Sequence, residues 1–523
     1  MKKFNVTGLC IPTKHYMVDM GKKIEQIMGL VTDGQYFTIN RARQYGKTTA
    51  LSLLAKALPR EYTCINISFE GVGETMFSNS LAFCQRFLWQ ISKALQHTDA
   101  EFASLWPDER ITDFDLLGDH LDKVCKDRKV VLMIDEVDRT SNNRVFLHFL
   151  GMLRSKYLER HNDYSNTFTS VILAGVHDVK NIKLKLANEG IHQEHGDGGR
   201  IYNSPWNFAA QFNVNMSFSP EEIATMLAAY EADHKTGMSI GSMAKEIFDF
   251  TSGYPFLVSR VCKCIDEELG RNWTVEGIQK AVKAITSEKN VLFDDLVKNL
   301  ENDKGIYDFL YAVLIVGDRK PFAIFDPLIE WCNMFGYITP DLSGAVRISN
   351  KMFALVMSIY FISKDSNATR IGGKICNALV QEIIVDGVFS MELCLRKFAE
   401  HYCEIFSEND VPFLERHGRL AFLTYLSPLI NGQGFYHIES QLTDLRRMDI
   451  VVNFGIQQFI IELKTWRGEA ARDKAYDQLL GYMDTRKASE GYLLTFDFRK
   501  DDNKKCDAEW VRVGDRRVFD VVV

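Results

Sequence analysis

The chain of 523 residues is too long for a single hydrophobic core, and its 46% hydrophobic and 25% charged residues are ordinary for a globular protein. No apolar run reaches the roughly eighteen residues of a membrane span, and no signal peptide is recognisable, so we expect a cytoplasmic protein without a membrane partner. The eleven cysteines are scattered and form no C-x-x-C pair, which argues against a zinc site or a disulfide scaffold. The net charge of −7 gives no support to a general affinity for nucleic acid.

The first motif follows a short apolar strand that ends at Asn40. The loop after it closes with Gly46, Lys47 and Thr48, and a segment with helical spacing comes next. Strand, loop and helix in this order predict a P-loop, in which N–H groups at the helix start cradle phosphates. Lys47 is expected to reach the β- and γ-phosphates, and the Thr48 hydroxyl is expected to bind Mg²⁺. One departure is Arg41, which stands where the usual motif has its first glycine.

A second apolar strand pattern ends in two acidic residues, Asp135 and Glu136. In P-loop ATPases such an Asp holds Mg²⁺, and the Glu polarises the attacking water. A strand that ends in two acids by chance is the alternative. The P-loop upstream favours the nucleotide-binding interpretation, with Asp135 as a metal ligand and Glu136 as a catalytic residue.

Further strand patterns alternate with helical ones. The strands are expected at 62–69 and 169–176, with 212–216 as a candidate last strand, and helices are expected at 80–95 and 145–157. This alternation predicts a parallel α/β sheet with ligands at the carboxyl ends of its strands. His177 and Asp178 leave the sheet at that edge and are candidate γ-phosphate sensors, while a loop-capping role for Asp178 stays open.

Three segments, 40–48, 173–178 and 203–207, together resemble the bacterial AAA-ATPase-like family, whose loop begins with Asn-Arg and so accounts for Arg41. Gly253-Tyr254-Pro255 resembles the G-x-P element of related signalling and archaeal-type ATPases, in which the Pro lies near the adenine; an ordinary helix stop is the open alternative. The resulting nucleotide-binding candidates are Asn40, Arg41, Arg43, Gln44, Tyr45, Gly46, Lys47, Thr48, Thr49, Asp135, Asp178 and Pro255.

The middle of the chain is mainly helical. Residues 219–268 open with a good helix cap, Ser219-Pro220-Glu221-Glu222, and predict a lid after the ATPase core. Residues 274–300 are expected to be helical and charged. Helical patterns at 306–316 and 326–335, a short wing at 344–349 and a helix at 351–362 then resemble a winged helix. Such modules bind DNA or serve as interdomain packing, and both alternatives are open.

Near the C-terminus a strand pattern that includes Asp449 precedes a second strand pattern that ends in Glu462, Leu463 and Lys464. Alternate residues of a strand share a face, so Glu462 and Lys464 project together. Two carboxylates and an ammonium suit a Mg²⁺ site that stabilises a phosphodiester transition state. An exposed surface ion pair is the alternative for an isolated E-x-K.

These residues resemble the PD-(D/E)XK nuclease superfamily, with Asp449 in the D position and Glu462 and Lys464 in the (D/E)XK positions. The AAA-ATPase-like family commonly carries such a domain at its C-terminus. The resemblance also implies an acidic ligand before this core, for which Glu415 suits and Glu439 is a weaker candidate. A Gln-Leu helix often follows this core, and Gln478 stands in the matching position. The catalytic candidates are Asp449, Glu462, Lys464, Gln478, Glu415 and, in the ATPase, Glu136. The expected metal ligands are Thr48, Asp135, Asp449 and Glu462.

The expected fold is α/β multidomain. Its segments are a P-loop ASCE ATPase core with a parallel sheet over 1–217, a helical lid over 218–290, a winged-helix-like module over 291–365, a helical connector over 366–410 and a restriction-endonuclease-like α/β domain over 411–523. The leading hypothesis is an ATP-regulated nuclease that uses Mg²⁺, or Mn²⁺ at the nuclease site, and cleaves DNA rather than RNA. The resemblance suggests defence or mobile-element biology. The rivals are a nucleotide-dependent switch whose nuclease-like domain binds without cleaving, and a motor on DNA. A homo-oligomer completed by Arg139 or Arg200 is a further expectation.

Overall fold

The computed structural model describes residues 2–137, 143–162, 164–176, 205–316, 318–364, 377–405, 411–430, 434–439, 449–466, 468–497 and 507–523. At residues 161, 377–379, 401, 403–405, 411–417, 437–439 and 449 it describes the backbone only. The chain divides into two compact units. The first comprises Met1–Lys235, Gly253–Lys263 and Met334–Gly336, and the second comprises Thr236–Ser252, Cys264–Asn333 and Tyr337–Val523.

Helices make up most of the described chain. In chain order they are α1 (Gly21–Thr32), α2 (Lys47–Ala57), α3 (Ser80–Leu95), α4 (Ala100–Ser104), α5 (Phe114–Val124), α6 (Arg144–His161), α7 (Pro220–His234), α8 (Ile240–Thr251), α9 (Pro255–Glu267), α10 (Val275–Ser287), α11 (Val291–Asn302), α12 (Lys304–Tyr311), α13 (Pro327–Met334), α14 (Lys351–Lys364), α15 (Asn377–Ile383), α16 (Met391–Ile405), α17 (Val411–Ile430) and α18 (Glu469–Arg486). None of the described helices is both long and apolar enough to cross a membrane.

The strands form two larger sheets and two short hairpins. They are β1 (Phe37–Asn40), β2 (Tyr62–Ser68), β3 (Lys129–Asp135), β4 (Ser170–Gly175), β5 (Ile338–Pro340), β6 (Val346–Ile348), β7 (Ile384–Val385), β8 (Val388–Phe389), β9 (Gly434–Glu439), β10 (Asp449–Phe454), β11 (Gln457–Thr465), β12 (Glu490–Phe496), β13 (Asp507–Val513) and β14 (Arg516–Val522).

The sheet of the first unit has the order β1-β4-β3-β2, and its strands are all parallel. Helices cover both faces, so the central strand β3 is apolar almost throughout. On β3, Leu132 and Ile134 join the core with α3, α5 and α6, whereas Val131 and Met133 pack towards α1 and α2. The predicted parallel α/β sheet is confirmed.

The second unit contains the elements expected of the winged-helix-like module, in the expected order. The helical stretch predicted over 274–300 is confirmed, and it consists of two helices, α10 and α11. Asn290 begins α11, and its side chain accepts a hydrogen bond from the N–H of Phe293. Helix α13 contains an acidic residue, Glu330, and no Lys or Arg, so it offers no cation to a DNA phosphate. The choice between DNA binding and interdomain packing for the module as a whole stays a prediction.

The second unit also holds a mixed sheet of the order β13-β14-β12-β11-β10-β9. Strands β11, β12 and β14 run parallel, while β9 and β10 form antiparallel pairs beside them. Helix α18 connects β11 to β12 and buries Leu479 and Met483 against this sheet. The packing is close, since a Cβ at Gly491 would lie 2.6 Å from the Met483 sulfur. The sheet therefore fixes the first turns of α18 at the carboxyl end of the parallel strands.

Candidate functional sites at two sheet edges

The loop between β1 and α2 has the backbone geometry of a tight phosphate loop. Gly46 precedes α2 with φ +78°, and Gln44 has φ +57°. A Cβ at Gly46 would meet nothing within 4 Å, so the left-handed conformation, and not a lack of space, explains the glycine. The Oε1 atom of Gln44 is buried without a hydrogen-bond partner among the described residues. The predicted strand–loop–helix order is confirmed.

The side chain of Lys47 lies inside this loop. It is 7% exposed, and its Nζ donates to the carbonyl oxygens of Arg41 at 2.8 Å and Ala42 at 3.1 Å. Two backbone carbonyls thus hold the ammonium group across the loop, at the start of a helix whose N–H groups favour anions. Phosphate oxygens would be stronger acceptors for this ammonium group than the neutral carbonyls.

Thr48 and Asp135 are distant in the sequence and adjacent in the structure. The Thr48 hydroxyl donates to Oδ2 of Asp135 at 2.6 Å, and Asp135 Oδ1 accepts from the N–H of Glu136 at 2.9 Å. Asp135 is buried, whereas Thr48 is exposed. Hydroxyl and carboxylate oxygens are the ligands that Mg²⁺ prefers, and solvent reaches the pair from the Thr48 side, so both residues suit a Mg²⁺ ion.

Glu136 follows directly and has φ +58°, which is unusual for a residue other than glycine. Such a conformation turns the chain sharply at the carboxyl end of β3. Strained backbone of this kind is typical of functional sites, where the surrounding structure holds it in place. The catalytic role expected for Glu136 stays a prediction.

Arg41 makes its contacts with the protein itself. Its Nη1 donates to the carbonyl of Asn40 at 2.8 Å, and its Nη2 donates to the carbonyl of Val214 at 2.9 Å. The guanidinium also lies over the ring of Phe212, and burial lowers its pKa. The predicted last strand at 212–216 is wrong, because the described chain has no strand there; Arg41, rather than a strand ladder, satisfies the Val214 carbonyl.

Three other predicted residues of the loop have different environments. The hydroxyl of Thr49 is buried and accepts from the N–H of Cys10 at 3.3 Å, so it has a partner from the N-terminal segment. Arg43 is exposed. Tyr45 shares a 2.7 Å hydrogen bond with Ser217, and burial raises the pKa of its hydroxyl, which keeps it neutral.

The Gly253-Tyr254-Pro255 element lies beside the P-loop, and a position of Pro255 near an adenine stays a prediction. Pro255 is the first residue of α9. The contact itself is made by Tyr254, whose hydroxyl donates to the carbonyl of Arg43 and whose ring meets that of Tyr45 at 4.5 Å, edge on. Sequence reasoning missed Tyr254. An aromatic residue between the Gly and the Pro was the signal that could have found it.

Several predicted residues lie outside the described part of the chain. They are Asp178 and His177, the arginines Arg139 and Arg200, and the beginning of the segment 203–207. Of that segment Trp206 is described; it is fully buried, and its Nε1 donates to the Thr38 hydroxyl at 2.9 Å. Trp206 therefore helps to fix β1, the strand that leads into the P-loop.

The second candidate site lies on the mixed sheet of the second unit, where Glu462 and Lys464 form an ion pair on β11. Glu462 is only 1% exposed and the Lys464 side chain 18%. The antiparallel register pairs Ile450 with Ile461, so the backbones of Asp449 and Glu462 lie at the same end of the β10–β11 hairpin. An exposed surface pair, the alternative to a functional one, is excluded by the burial of Glu462.

The acidic candidates around this pair are described only in part. The backbone of Asp449 is paired with that of Glu439 at the end of β9, but the side chains of both residues, and that of Glu415 on α17, lie outside the described atoms. Among the described side chains there is no group of three His, Cys, Asp or Glu that could hold a metal. Gln478 is half-buried on α18, next to the buried Leu479.

A family model described as an AAA-like domain matches residues 13–313, more than half of the chain. Among solved structures, the chain is similar to the Walker-type ATPase of Pyrococcus abyssi, at 13% identity and a TM-score of 0.47 over 68% of this chain and 99% of that one. It is also similar to two Aeropyrum pernix proteins. One is ORC2 in its ADPNP–ADP complexes, at 12% identity and a TM-score of 0.33 over 66% of this chain and 93% of that one. The other is ORC1 in complex with DNA, at 10% identity and a TM-score of 0.28 over 66% of this chain and 93% of that one. These TM-scores are low, and no curated protein matches the chain. The assignment follows from the family model: the chain belongs to the AAA-like domain family and has the P-loop of an ATPase.

Proposed function

We propose that this protein binds ATP with Mg²⁺ at its P-loop and hydrolyses it. The observation that supports this most directly is the 2.6 Å hydrogen bond between Thr48 and Asp135. It joins the helix after the P-loop to the end of β3, so one hydroxyl and one carboxylate meet where a triphosphate would carry its metal. A bound Mg²⁺ would neutralise charge on the β- and γ-phosphates.

The chain's own residues would perform the remaining tasks. Lys47, now bonded to two loop carbonyls, would bind the terminal phosphates as a compact cation. Glu136, turned at the carboxyl end of β3, would orient the attacking water and accept its proton. Arg41 would hold the loop through its bonds to Asn40 and Val214.

Two substitutions of one residue test this proposal. Thr48→Ala removes the hydroxyl, whereas Thr48→Ser keeps it at nearly the same place. We expect ATP turnover to fall by at least tenfold in Thr48→Ala and to stay within a few-fold of the parent in Thr48→Ser, because a hydrogen bond to a charged group contributes about 1.5–3 kcal/mol. Equal turnover in both variants would contradict the assignment. Lys47→Ala should in addition lose binding of a fluorescent ATP analogue.

We further propose that the mixed sheet of the second unit is a metal-dependent nuclease that acts on DNA. The support is the buried pair of Glu462 and Lys464 at the same end of the hairpin as Asp449. A buried ion pair contributes little net stability, because desolvation offsets most of the attraction. Such a pair at the carboxyl end of a strand is therefore better explained by chemistry than by folding. The carboxylates suit Mg²⁺ or Mn²⁺, and Lys464 would neutralise charge on the phosphate.

The corresponding test is cleavage of single- and double-stranded DNA and RNA with Mg²⁺ or Mn²⁺, with and without ATP. Metal-dependent cutting that disappears in Asp449→Ala and Lys464→Ala is expected, with a change of rate in Lys47→Ala if ATP regulates it. If the parent protein never cuts but turns over ATP, the nucleotide-dependent switch becomes the better hypothesis. ATP turnover that rises with DNA length would instead favour the motor. Measuring molecular mass with and without ATP would test self-association.

A further inference from the structure

A second polar cluster lies on the mixed sheet, two strands away from Glu462. The parallel register pairs Glu462 with Leu493 and Leu493 with Asp520. Because residues paired in register point to the same face, Glu462 and Asp520 both face α18, as does Leu493 in the core beneath that helix. Their Cα atoms are separated by two strand spacings, about 10 Å.

Asp520 is a buried carboxylate with a defined set of partners. It is 2% exposed, and its Oδ2 accepts hydrogen bonds from Arg472 Nε at 3.0 Å, from Arg472 Nη2 at 2.8 Å and from the Tyr476 hydroxyl. Oδ1 of Asp520 is buried without a partner among the described residues. A carboxylate in this position needs the guanidinium to compensate its charge, so Arg472 is held in one orientation.

The contact with Asp520 uses only some of the hydrogen-bond donors of Arg472. Two of its five N–H donors go to Asp520, and the side chain is 27% exposed. The guanidinium carbon lies 6.0 Å from the ring centre of Trp466, the residue that follows β11 just beyond Lys464. The outer fork of the guanidinium is therefore presented at the carboxyl end of the parallel strands, the edge to which Glu462 and Lys464 also belong.

We infer that Arg472 binds a backbone phosphate of the polynucleotide, next to the phosphate that faces Glu462 and Lys464, and that Asp520 and Tyr476 position it for this contact. The inference rests on the proposed nuclease function of the same sheet edge. A planar guanidinium fork matches a phosphate with two parallel hydrogen bonds. Because Asp520, which holds Arg472, lies two strands away from Glu462, we assign to Arg472 a phosphate next to the one that faces Glu462, and a contribution to substrate binding rather than to bond breaking.

The experiment measures binding and not cleavage. The full chain carrying Asp449→Ala, which prevents cutting, is titrated with fluorescently labelled single- and double-stranded DNA at several NaCl concentrations. Adding Arg472→Gln should weaken binding about tenfold at low salt. It should also reduce the slope of log K against log[NaCl] by about 0.7 for single-stranded DNA and 0.9 for duplex, the contribution of one phosphate contact.

Two further variants separate binding from folding. Arg472→Gln alone leaves the Asp520 carboxylate buried without its cation, so the double variant Arg472→Gln/Asp520→Asn, which removes both charges, is measured beside it with a melting curve for each. Lys474→Gln is the matched control, since Lys474 is exposed and lies two residues further along α18, on another side of the helix. We expect the double variant to lose the same slope as Arg472→Gln, and Lys474→Gln to change it little.

The possible results are distinct. If the folded double variant binds DNA with the affinity and slope of its parent, or if Lys474→Gln has as large an effect, the inference is overturned. The inference is also overturned if the Asp449→Ala protein binds neither single-stranded nor double-stranded DNA at low salt. If Arg472 contributes one phosphate contact but the protein with native Asp449 never cuts DNA, the inference stands and the nuclease proposal fails.

Discussion

Gly253→Ala should uncouple the Gly253-Tyr254-Pro255 element from the P-loop. Gly253 has φ +72°, and a Cβ built on it would lie 1.9 Å from the carbonyl oxygen of Phe218, against 3.4 Å or more for an ordinary contact. The N–H of Phe218 donates to the Gly253 carbonyl at 2.8 Å, so a hydrogen bond holds the two backbone segments together. A methyl group at this position must therefore displace backbone, and Tyr254 is the next residue.

The expected magnitude has two parts. The left-handed conformation alone destabilises alanine by about 1–2 kcal/mol. Separation of the two backbones costs the Phe218–Gly253 hydrogen bond, about 1 kcal/mol more, and moves the Tyr254 hydroxyl away from the Arg43 carbonyl. We expect a total loss of stability of about 3 kcal/mol, and a weakening of ATP-analogue binding by about tenfold, since Arg43 and Tyr45 lose their support.

Gly71→Ala is the matched control. Gly71 has φ +70°, but a Cβ added to it would meet nothing within 4 Å, so its substitution tests the backbone conformation without the clash. Thermal unfolding and titration with a fluorescent ATP analogue are compared for the parent and the two variants. Gly71→Ala should cost about 1–2 kcal/mol and leave nucleotide affinity unchanged. If Gly253→Ala has no larger effect than Gly71→Ala in either measurement, the described docking of Tyr254 on the P-loop is wrong.

Three more predictions follow from the described contacts. Tyr254→Phe removes only the hydroxyl that bonds the Arg43 carbonyl, so nucleotide affinity should fall by a few-fold with little change in melting temperature, as read by the same titration. Trp206→Phe should cost about 2–3 kcal/mol in unfolding free energy, because it leaves the buried Thr38 hydroxyl without its donor and a space beside Tyr36. Burial, with Asp249 nearby, raises the pKa of Glu246 above 4.5, so its charged form is less favourable folded than unfolded. This penalty is present at pH values above the folded pKa and is lost as the pH falls below 4.5; Glu246→Gln should therefore raise the melting temperature at pH 7 and progressively less towards pH 4.

The local elements of both sites are predictable from sequence because their signals are local. Glycine at the left-handed position before α2 and the apolar run of β3 identify the ATPase edge, and the alternation of Glu462 and Lys464 identifies the second one. The E-x-K spacing does not distinguish a buried pair from an exposed one, since that depends on α18 covering the strand.

The contacts between distant segments were not predictable in the same way. Arg41 stands at a phosphate-loop position in the sequence, whereas its partner is the Val214 carbonyl on a segment that only the fold brings close. Asp520 shows how such a residue could be found: it interrupts an apolar strand at a position that should face the core, and a charge there requires a partner. The identity of that partner, Arg472, follows only from the crossover of α18.

The two buried carboxylates, Asp135 and Asp520, differ in a way that separates their roles. Each lies near the carboxyl end of a parallel strand and accepts a hydrogen bond from a helix packed on its sheet. The donor to Asp135 is the neutral hydroxyl of Thr48, so the negative charge stays uncompensated by that contact and favours a divalent cation. The donor to Asp520 is the guanidinium of Arg472, which already supplies a positive charge and would repel a metal. Carboxylates at such edges should therefore be judged by the charge of their donor: Asp135 suits a metal ligand, whereas Asp520 suits the positioning of a cation that itself meets the phosphate.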